Sequence, residues 1–541
     1  MSLSELAEDL FGDSSSESDN ESQDEESSSS KTRVSEPTDP SGSKREEIMH
    51  PAVAMSVKKF VLGYADTTIS ELNTAAREST IGLQSNFDKA SFAGQCFLLH
   101  AHLRVAVDAL RTAKVAVMKQ HANWLHDATW NFLVQNKSWP AVTWREVYGY
   151  AQVMLIACEF GQVGVDLAVP TKRLDMCYIM GVPASVLRML NALISRELDA
   201  TSRLASEAFW PSQRSGRFLT LFDCPLFQTL HSNPNVVRSD HGVEAVPNRL
   251  PLSVVHKNDL PVDMFRSKYF ETGTPVLIIG SILSPSTSAR HAAIARNLTR
   301  GGRLSSSEDH PVKGDDPTGW APAFESWSDL CYLDRKFGQR YVPVEVYNTG
   351  KTGENPADST VQMTEKVMQF SKFLRNFLSP SQCYFDDPKS EFATRGGFAR
   401  CHTLDDVKEV ATAYSGPVAY LAQHSLFAQF PDLCKDYEPP LYASVADETG
   451  GITTVNAWLG TAGTVTPLHF DSYNNFFVQV VGYKLIRLYM PDQTKYLYVH
   501  HGLDESSGGE KQASSTHAQG NISRVSGLPP QIFAMLAACV H

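Results

Sequence analysis

Residues 453–490 read TTVNAWLGTAGTVTPLHFDSYNNFFVQVVGYKLIRLYM. The runs TTVNAWLG (453–460), NNFFVQVVG (474–482) and YKLIRLYM (483–490) are strand-length, aromatic or β-branched, and punctuated by Gly and Pro, so the spacing predicts three strands. Between the first two lie His469 and Asp471, two positions apart. On a strand that spacing projects both side chains from one face. An imidazole and a carboxylate on one wall are two members of the facial triad that holds non-haem iron(II) and leaves open positions. The pair alone is common, so its meaning depends on what surrounds it.

Working outward, TPVLIIGSI (Thr274 to Ile282), RYVPVEVY (Arg340 to Tyr347) and VAYLAQH (Val418 to His424) have the same strand character. Two polar insertions, SPSTSARHAAIARNLTRGGRLSSSEDHPVKGDDPTG and SPSQCYFDDPKSEFATRGGFARCHT, read as surface loops. Many short strands with few helices predict a sandwich or jelly-roll barrel.

Upstream, residues 51–240 change to a helical period. In FLLHAHLRVAVDALRTAKVAVMKQHANWLHDATWNFLVQ (Phe97 to Gln135), Leu99, Leu103, Val107 and Leu110 recur at three to four residues. The stretch reads as amphipathic helix, divisible into two helices in line. TWREVYGYAQVMLIACEFG places Glu146 three residues after Thr143, a capping box, with Gly161 as the stop. PASVLRMLNALISRELDATSRLASEAF supplies a further helix with Val186, Leu190, Leu193 and Ile194 on one side. No fixed repeat is present, so the expectation is a bundle or irregular helical array. His100, His102, His121 and His126 have no paired acids or cysteines nearby and read as surface or core histidines. Pro, Ser and Asn thicken around 210–250, marking a boundary.

Residues 1–50 hold a dense acidic-serine run with few apolar side chains, which cannot offset ordering entropy; the expectation is a disordered tail. Most of the formal net charge of −12 sits there, leaving no basic footprint for nucleic acid. The tail reads first as a solvated segment that aids solubility; in the alternative reading, Leu10 and Phe11 within Glu8 to Asp13 resemble the short docking motifs of transcription-elongation proteins. The serines suit acid-directed kinases. The most apolar window, Val153 to Val169, is broken by Glu159 and Asp166, so no membrane span is expected. Glu5, Glu8 and Asp9 stand where a secretory signal needs a basic start. Nine cysteines without a C-x-x-C pair read as reduced thiols.

The ordered string HKNDLPVDMFRSKYFETGTPVLIIG, ESWSDLCYLDRKFGQRYVPVEV, GPVAYLAQHSLFAQFPDL, VNAWLG, the His469/Asp471 segment and GNISRV (Gly520 to Val525) resembles the Jumonji-C (JmjC) oxygenases, particularly the small hydroxylases related to lysine demethylase eight. The resemblance implies an α+β chain in which a helical domain precedes a double-stranded β-helix, the JmjC domain, over residues 250–525. It also implies dependence on iron(II) and 2-oxoglutarate, and hydroxylation or demethylation of a protein substrate bearing arginine or lysine, histones among them. Residue by residue, it makes His469 and Asp471 iron ligands and catalytic residues. Lys484 becomes the partner of the 2-oxoglutarate carboxylate, with Tyr420, Thr466 and Asn475 beside the co-substrate, while Glu345, Gln423, Asn456 and Trp458 line the substrate pocket. A lysine facing into a barrel has a chemical reason there, since an unpaired one would be costly.

The family's second histidine ligand comes from a late strand rich in Pro, Trp and Tyr, and no such segment is found here. Residues 526–541, SGLPPQIFAMLAACVH after Val525, do not resemble the family's ending, and His500, His501, His517 and His541 are poor substitutes. The competing explanations are a gene model that ends early, which is favoured, a short isoform, and a pseudo-enzyme. The alternative function is a nuclear adaptor that binds partners through the tail and helical domain. Family and tail together point to the nucleus.

Overall fold

The computed structural model describes residues 51–78, 86–135, 142–160, 166–182 and 187–198, then 236–239, 242–245, 252–279, 326–348, 362–381, 416–437, 440–443, 455–464 and 474–482. It also describes shorter pieces between these and to 490, and the backbone of 534–540. The acidic tail with its Glu8 to Asp13 element, the first polar insertion, the second beyond Ser381, Gly161, GNISRV and the late histidines lie outside the described residues. Ser379 to Ser381, read as the start of a surface loop, are helical instead, with both serines buried. The chain divides into a helical unit ending at Ile194 and a second unit that carries the strands.

In the first unit, helices α1 (Pro51–Glu78), α2 (Asn86–Arg111), α3 (Val115–Gln135), α4 (Val142–Glu159) and α5 (Ala168–Ile179) follow one another. The helical period is real: Leu99, Leu103, Val107 and Leu110 are all buried. The two helices read as lying in line instead fold back on each other. His102 and His121, on either side of the turn at 112–114, touch with Nδ1 atoms 3.1 Å apart, which requires a helical hairpin. Ala113 makes that reversal at φ 56°, a left-handed conformation unusual for a residue with a Cβ. The four helix histidines are partly buried structural groups, and His102 stacks on Trp124 at 3.7 Å.

The capping box does not form. Helix α4 already includes Val142, so Thr143 lies inside the first turn and donates to Glu71 Oε2 (3.3 Å), while Glu146 accepts from Thr68 (3.0 Å). Both polar side chains tie α4 to α1 instead. No helix of the described residues is long and apolar enough to cross a membrane.

The second unit holds β1 (Val236–Ser239) and β2 (Gly242–Ala245), an antiparallel pair in the stretch read as a boundary, and a parallel pair β3 (Ser253–His256) and β4 (Val276–Ile279). Its main sheet is antiparallel, formed by β5 (Tyr341–Asn348), β6 (Gln362–Gln369), β7 (Val418–His424), β8 (Val455–Gly460), β9 (Phe476–Gly482) and β10 (Ala534–Val540) in the order β6-β5-β7-β8-β10-β9. Helices followed by an antiparallel sheet give the expected α+β class. Strand β6 escaped the sequence reading because QMTEKVMQ is mostly polar. The described residues of Tyr483 to Met490 take no strand pairing; Ile486, Leu488, Tyr489 and Met490 are exposed, and β10 is the paired neighbour of β9. Pro343 fits inside β5 because pairing to β7 is confined to Glu345, Val346 and Tyr347.

One face of this sheet is apolar. Val342, Val344, Ala419, Leu421, Ala457, Leu459, Val478 and Val480 pack there against α6 (Leu330–Phe337), against Phe370, Phe373, Leu374 and Leu378, and against Phe427 and Phe430. Phe337 and Phe430 stack at 4.5 Å. The Asp329 carboxylate caps α6 by accepting from Cys331 N–H. Farther along, the buried Asp334 accepts two bonds from Arg375 at 3.1 and 2.6 Å, locking α6 to the helical segment after β6.

Candidate functional site

Alternation along the strands sends the other side chains to the opposite face. The register sets Glu345, Tyr420 and Gly460 in one row across β5, β7 and β8. It sets Trp458 level with Gln479, and Asn456 level with Phe477, across β10. Four sequence-predicted residues, Glu345, Tyr420, Asn456 and Trp458, therefore share the face turned away from the apolar core.

Gly460 has a packing reason. A Cβ there would stand 2.6 Å from Tyr420 Cδ2 and 3.0 Å from Thr464 Cγ2, so the bare backbone is the floor on which the Tyr420 ring lies. Gln423 departs from the group: it sits at φ 51° where the β7–β8 register shifts between Leu421 and His424, and its side chain is exposed. His424, next to it, is buried and bonded to Gln429 (2.7 Å).

Strands β8 and β9 both run antiparallel to β10, hence parallel to each other. The segment 461–475 must therefore travel back the length of a strand to begin β9. Its start is pinned: Thr461 Oγ1 accepts from Ala419 N–H (3.2 Å), Thr461 N–H donates to Ala419 C=O (3.1 Å), and Ala462 N–H donates to Ser381 Oγ (3.0 Å). From there the return segment carries Thr466, His469, Asp471 and Asn475. Asp471 lies outside any strand, and His469 makes only an isolated bridge. The spacing argument thus fails in its premise, since the two residues do not alternate along a continuous ladder.

The side chains converge all the same. His469 Nε2 lies 3.6 Å from Asp471 Oδ1, and Asn475 Nδ2 donates to Asp471 Oδ2 at 2.9 Å. The amide holds one carboxylate oxygen and leaves the other toward the imidazole. Two donor atoms that each sit about 2.1 Å from a single transition-metal ion are roughly 3–4 Å apart, so this pair fits two adjacent positions on one ion. Both side chains are about one third exposed, as an open site requires. Among the described residues no group of three His, Cys, Asp or Glu side chains gathers round a point. Asn475, read from the resemblance as a co-substrate contact, is placed here against the carboxylate. Thr466 is exposed on the same segment.

Lys484 places its ammonium 5.4 Å from the centre of the Phe477 ring, a cation–π contact at the end of β9. Because Phe477 belongs to the face of Asn456 and Trp458, the lysine's charge is drawn to that face. Tyr347 is the residue that sequence reading missed. Its hydroxyl donates to Glu345 Oε2 at 3.0 Å, across two positions of one strand. The i, i+2 spacing in VEVY was the available signal. Burial raises the Glu345 carboxyl above its usual range, the Tyr347 hydrogen bond opposes the rise, and Glu365, its direct partner on β6, adds to it. Burial, then the adjacent carboxylate, pushes the Tyr347 phenol well above its ordinary value, so it remains a donor.

The cupin-like domain family matches residues 306–531. JmjC domain-containing protein F of Dictyostelium discoideum is 25% identical over 433 residues, covering 74% of this chain and 75% of that protein. Lysine-specific demethylase 8 of Danio rerio is 52% identical over 364 residues, 66% of this chain and 65% of that protein. Lysine-specific demethylase JMJ30 of Arabidopsis thaliana is 36% identical over 170 residues, 31% of this chain and 30% of that protein. The antiparallel sheet, the ordered motifs along it and these relatives lead to one assignment: the chain belongs to the JmjC-domain proteins of the cupin-like fold, close to the lysine-specific demethylase 8 branch.

Proposed function

We propose that the protein is an iron(II)- and 2-oxoglutarate-dependent oxygenase that hydroxylates or demethylates a side chain of a protein substrate. The observation that carries this reading is the His469–Asp471 pair at 3.6 Å with Asn475 fixing the far carboxylate oxygen. His469 Nε2 and Asp471 Oδ1 would hold the ion. Iron(II) with the keto acid supplies oxidation of a C–H bond by dioxygen, the keto acid leaving as succinate and carbon dioxide. The Lys484 ammonium, beside Phe477, provides the charge for the distal carboxylate of 2-oxoglutarate. Tyr420, buried over Gly460, offers a hydroxyl on the same face, and Trp458 and Asn456 present an aromatic wall and an amide to the incoming side chain.

The substrate proposed is a protein rich in arginine or lysine, a histone being one such partner, and the site of action proposed is the nucleus. A half-buried carboxylate at Glu345 on the site face, its pKa raised by that burial, supports a cationic substrate. The test is conversion of 2-oxoglutarate to succinate in the presence of iron(II), together with iron uptake measured directly. His469→Ala combined with Asp471→Ala should abolish both turnover and iron uptake. Turnover that survives the double substitution would sink the reading.

A further inference from the structure

We infer that Tyr347 is a positioning residue: its hydroxyl fixes one oxygen of the Glu345 carboxylate so that the other is left to receive the cationic side chain of a protein substrate. The inference rests on the proposed role of this sheet face in receiving substrate, and adds a residue that acts through Glu345.

The geometry has three parts. Glu345 and Tyr347 are two apart on β5 and so share a face, with the hydroxyl 3.0 Å from Oε2. Among the described residues, Tyr347 is the hydrogen-bond donor to this carboxylate, so Oε1 remains for another partner. Directly opposite Glu345 stand Glu365 on β6 and Tyr420 on β7, and neither is a cation. A half-buried carboxylate faced by a second carboxylate is unfavourable by itself and becomes favourable once a cation is bound. A carboxylate with both oxygens free to rotate would lose orientational freedom on binding; the Tyr347 bond removes that loss beforehand. The same bond favours the ionised form that a guanidinium or ammonium needs, against burial and Glu365.

The experiment measures fluorescence anisotropy of a labelled arginine-rich peptide, and of its citrulline counterpart, binding to the full chain from mildly acid to neutral pH. Tyr347→Phe should bind the arginine peptide about five-fold more weakly on the acid side, where loss of one hydrogen bond to a charged group matters most, and the deficit should narrow to a residual weakening of about two-fold, the orientational part, as pH rises. Glu345→Gln should bind it weakly at every pH with a flat profile. The citrulline peptide should not distinguish the three proteins. Should Tyr347→Phe lose its cooperative melt, 3-fluorotyrosine at 347, a stronger donor of the same shape, carries the test: its acid limb should move to lower pH. Superposed profiles for Tyr347→Phe and the unsubstituted chain, or no arginine-dependent binding by the latter, overturn the inference. The readout needs neither iron nor turnover, so a chain that binds the peptide as described yet turns over no 2-oxoglutarate fails the oxygenase reading and leaves this one standing.

Discussion

At the scale of single residues, the site is held by short polar contacts whose removal has separable effects. Asn475 touches Asp471 and would not itself touch the ion, so Asn475→Ala should weaken iron binding about 10- to 100-fold, the usual effect of losing a ligand's supporting hydrogen bond. Calorimetric titration with iron(II) under anaerobic conditions measures this directly. Gly460 acts through space. The Cβ of Gly460→Ala meets the Tyr420 ring at 2.6 Å, and relief requires the ring or strand β8 to move. The expected cost is about 2 kcal/mol in urea unfolding, from overpacking. If Tyr420 serves the co-substrate, the KM for 2-oxoglutarate should rise in parallel.

At the scale of elements, two connections govern stability. Helix α6 is bolted to the segment after β6 by the Asp334–Arg375 pair, with the carboxylate almost wholly buried. Asp334→Ala removes the buried carboxylate that receives two bonds from a guanidinium 27% exposed and should destabilise the sheet unit by about 2 kcal/mol, read by denaturant unfolding. Gly338 at the end of α6 adds a second constraint. A Cβ there would run into the Asp334 carbonyl oxygen and carboxylate, so the turn into β5 admits no side chain. In the helical unit, Ala113 at φ 56° pays a conformational penalty that glycine avoids. Ala113→Gly should therefore raise the unit's stability by about 0.5 kcal/mol, a gain visible in its thermal midpoint. An unchanged or lowered midpoint would show that the α2–α3 turn is not strained in solution.

At the scale of the whole molecule, the partly buried histidines of the helical unit and Glu345 of the sheet unit respond to pH in opposite senses. His102 is held below its ordinary value by burial and then by His121; His126 is lowered by burial, with the Asp127 contact opposing. A depressed histidine contributes stability above the unfolded value near 6.5 that is lost as pH falls through the lower folded value. Glu345 is the reverse: raised by burial, it contributes stability at pH below the ordinary carboxylate value, and that contribution disappears as pH rises through the folded one. Thermal melts of the unsubstituted chain should thus show acid loss in the helical unit, and His126→Gln should flatten that loss while leaving the sheet unit's profile alone. Equal acid sensitivity in His126→Gln would refute the assignment to His126.

The sequence by itself determined the parts that depend on local chemistry. Strand β7 was legible residue for residue, β5, β8 and β9 to within a residue or two, and helix α2 by its buried leucines, because period and composition are written along the chain. His469, Asp471, Lys484 and Tyr420 were singled out as a set by motif order. Tertiary structure alone decided what depends on residues distant in sequence. It folded α2 and α3 into a hairpin, and turned Thr143 and Glu146 from a cap into ties to α1. It also brought His469 and Asp471 together on a return segment rather than along a strand, set Asn475 on the carboxylate, and paired Tyr347 with Glu345 on a face defined by the register of β5 against its neighbours. The physical reason is that a hydrogen bond's partner, unlike a residue's preference for helix or strand, is chosen by which surfaces the apolar core brings into contact.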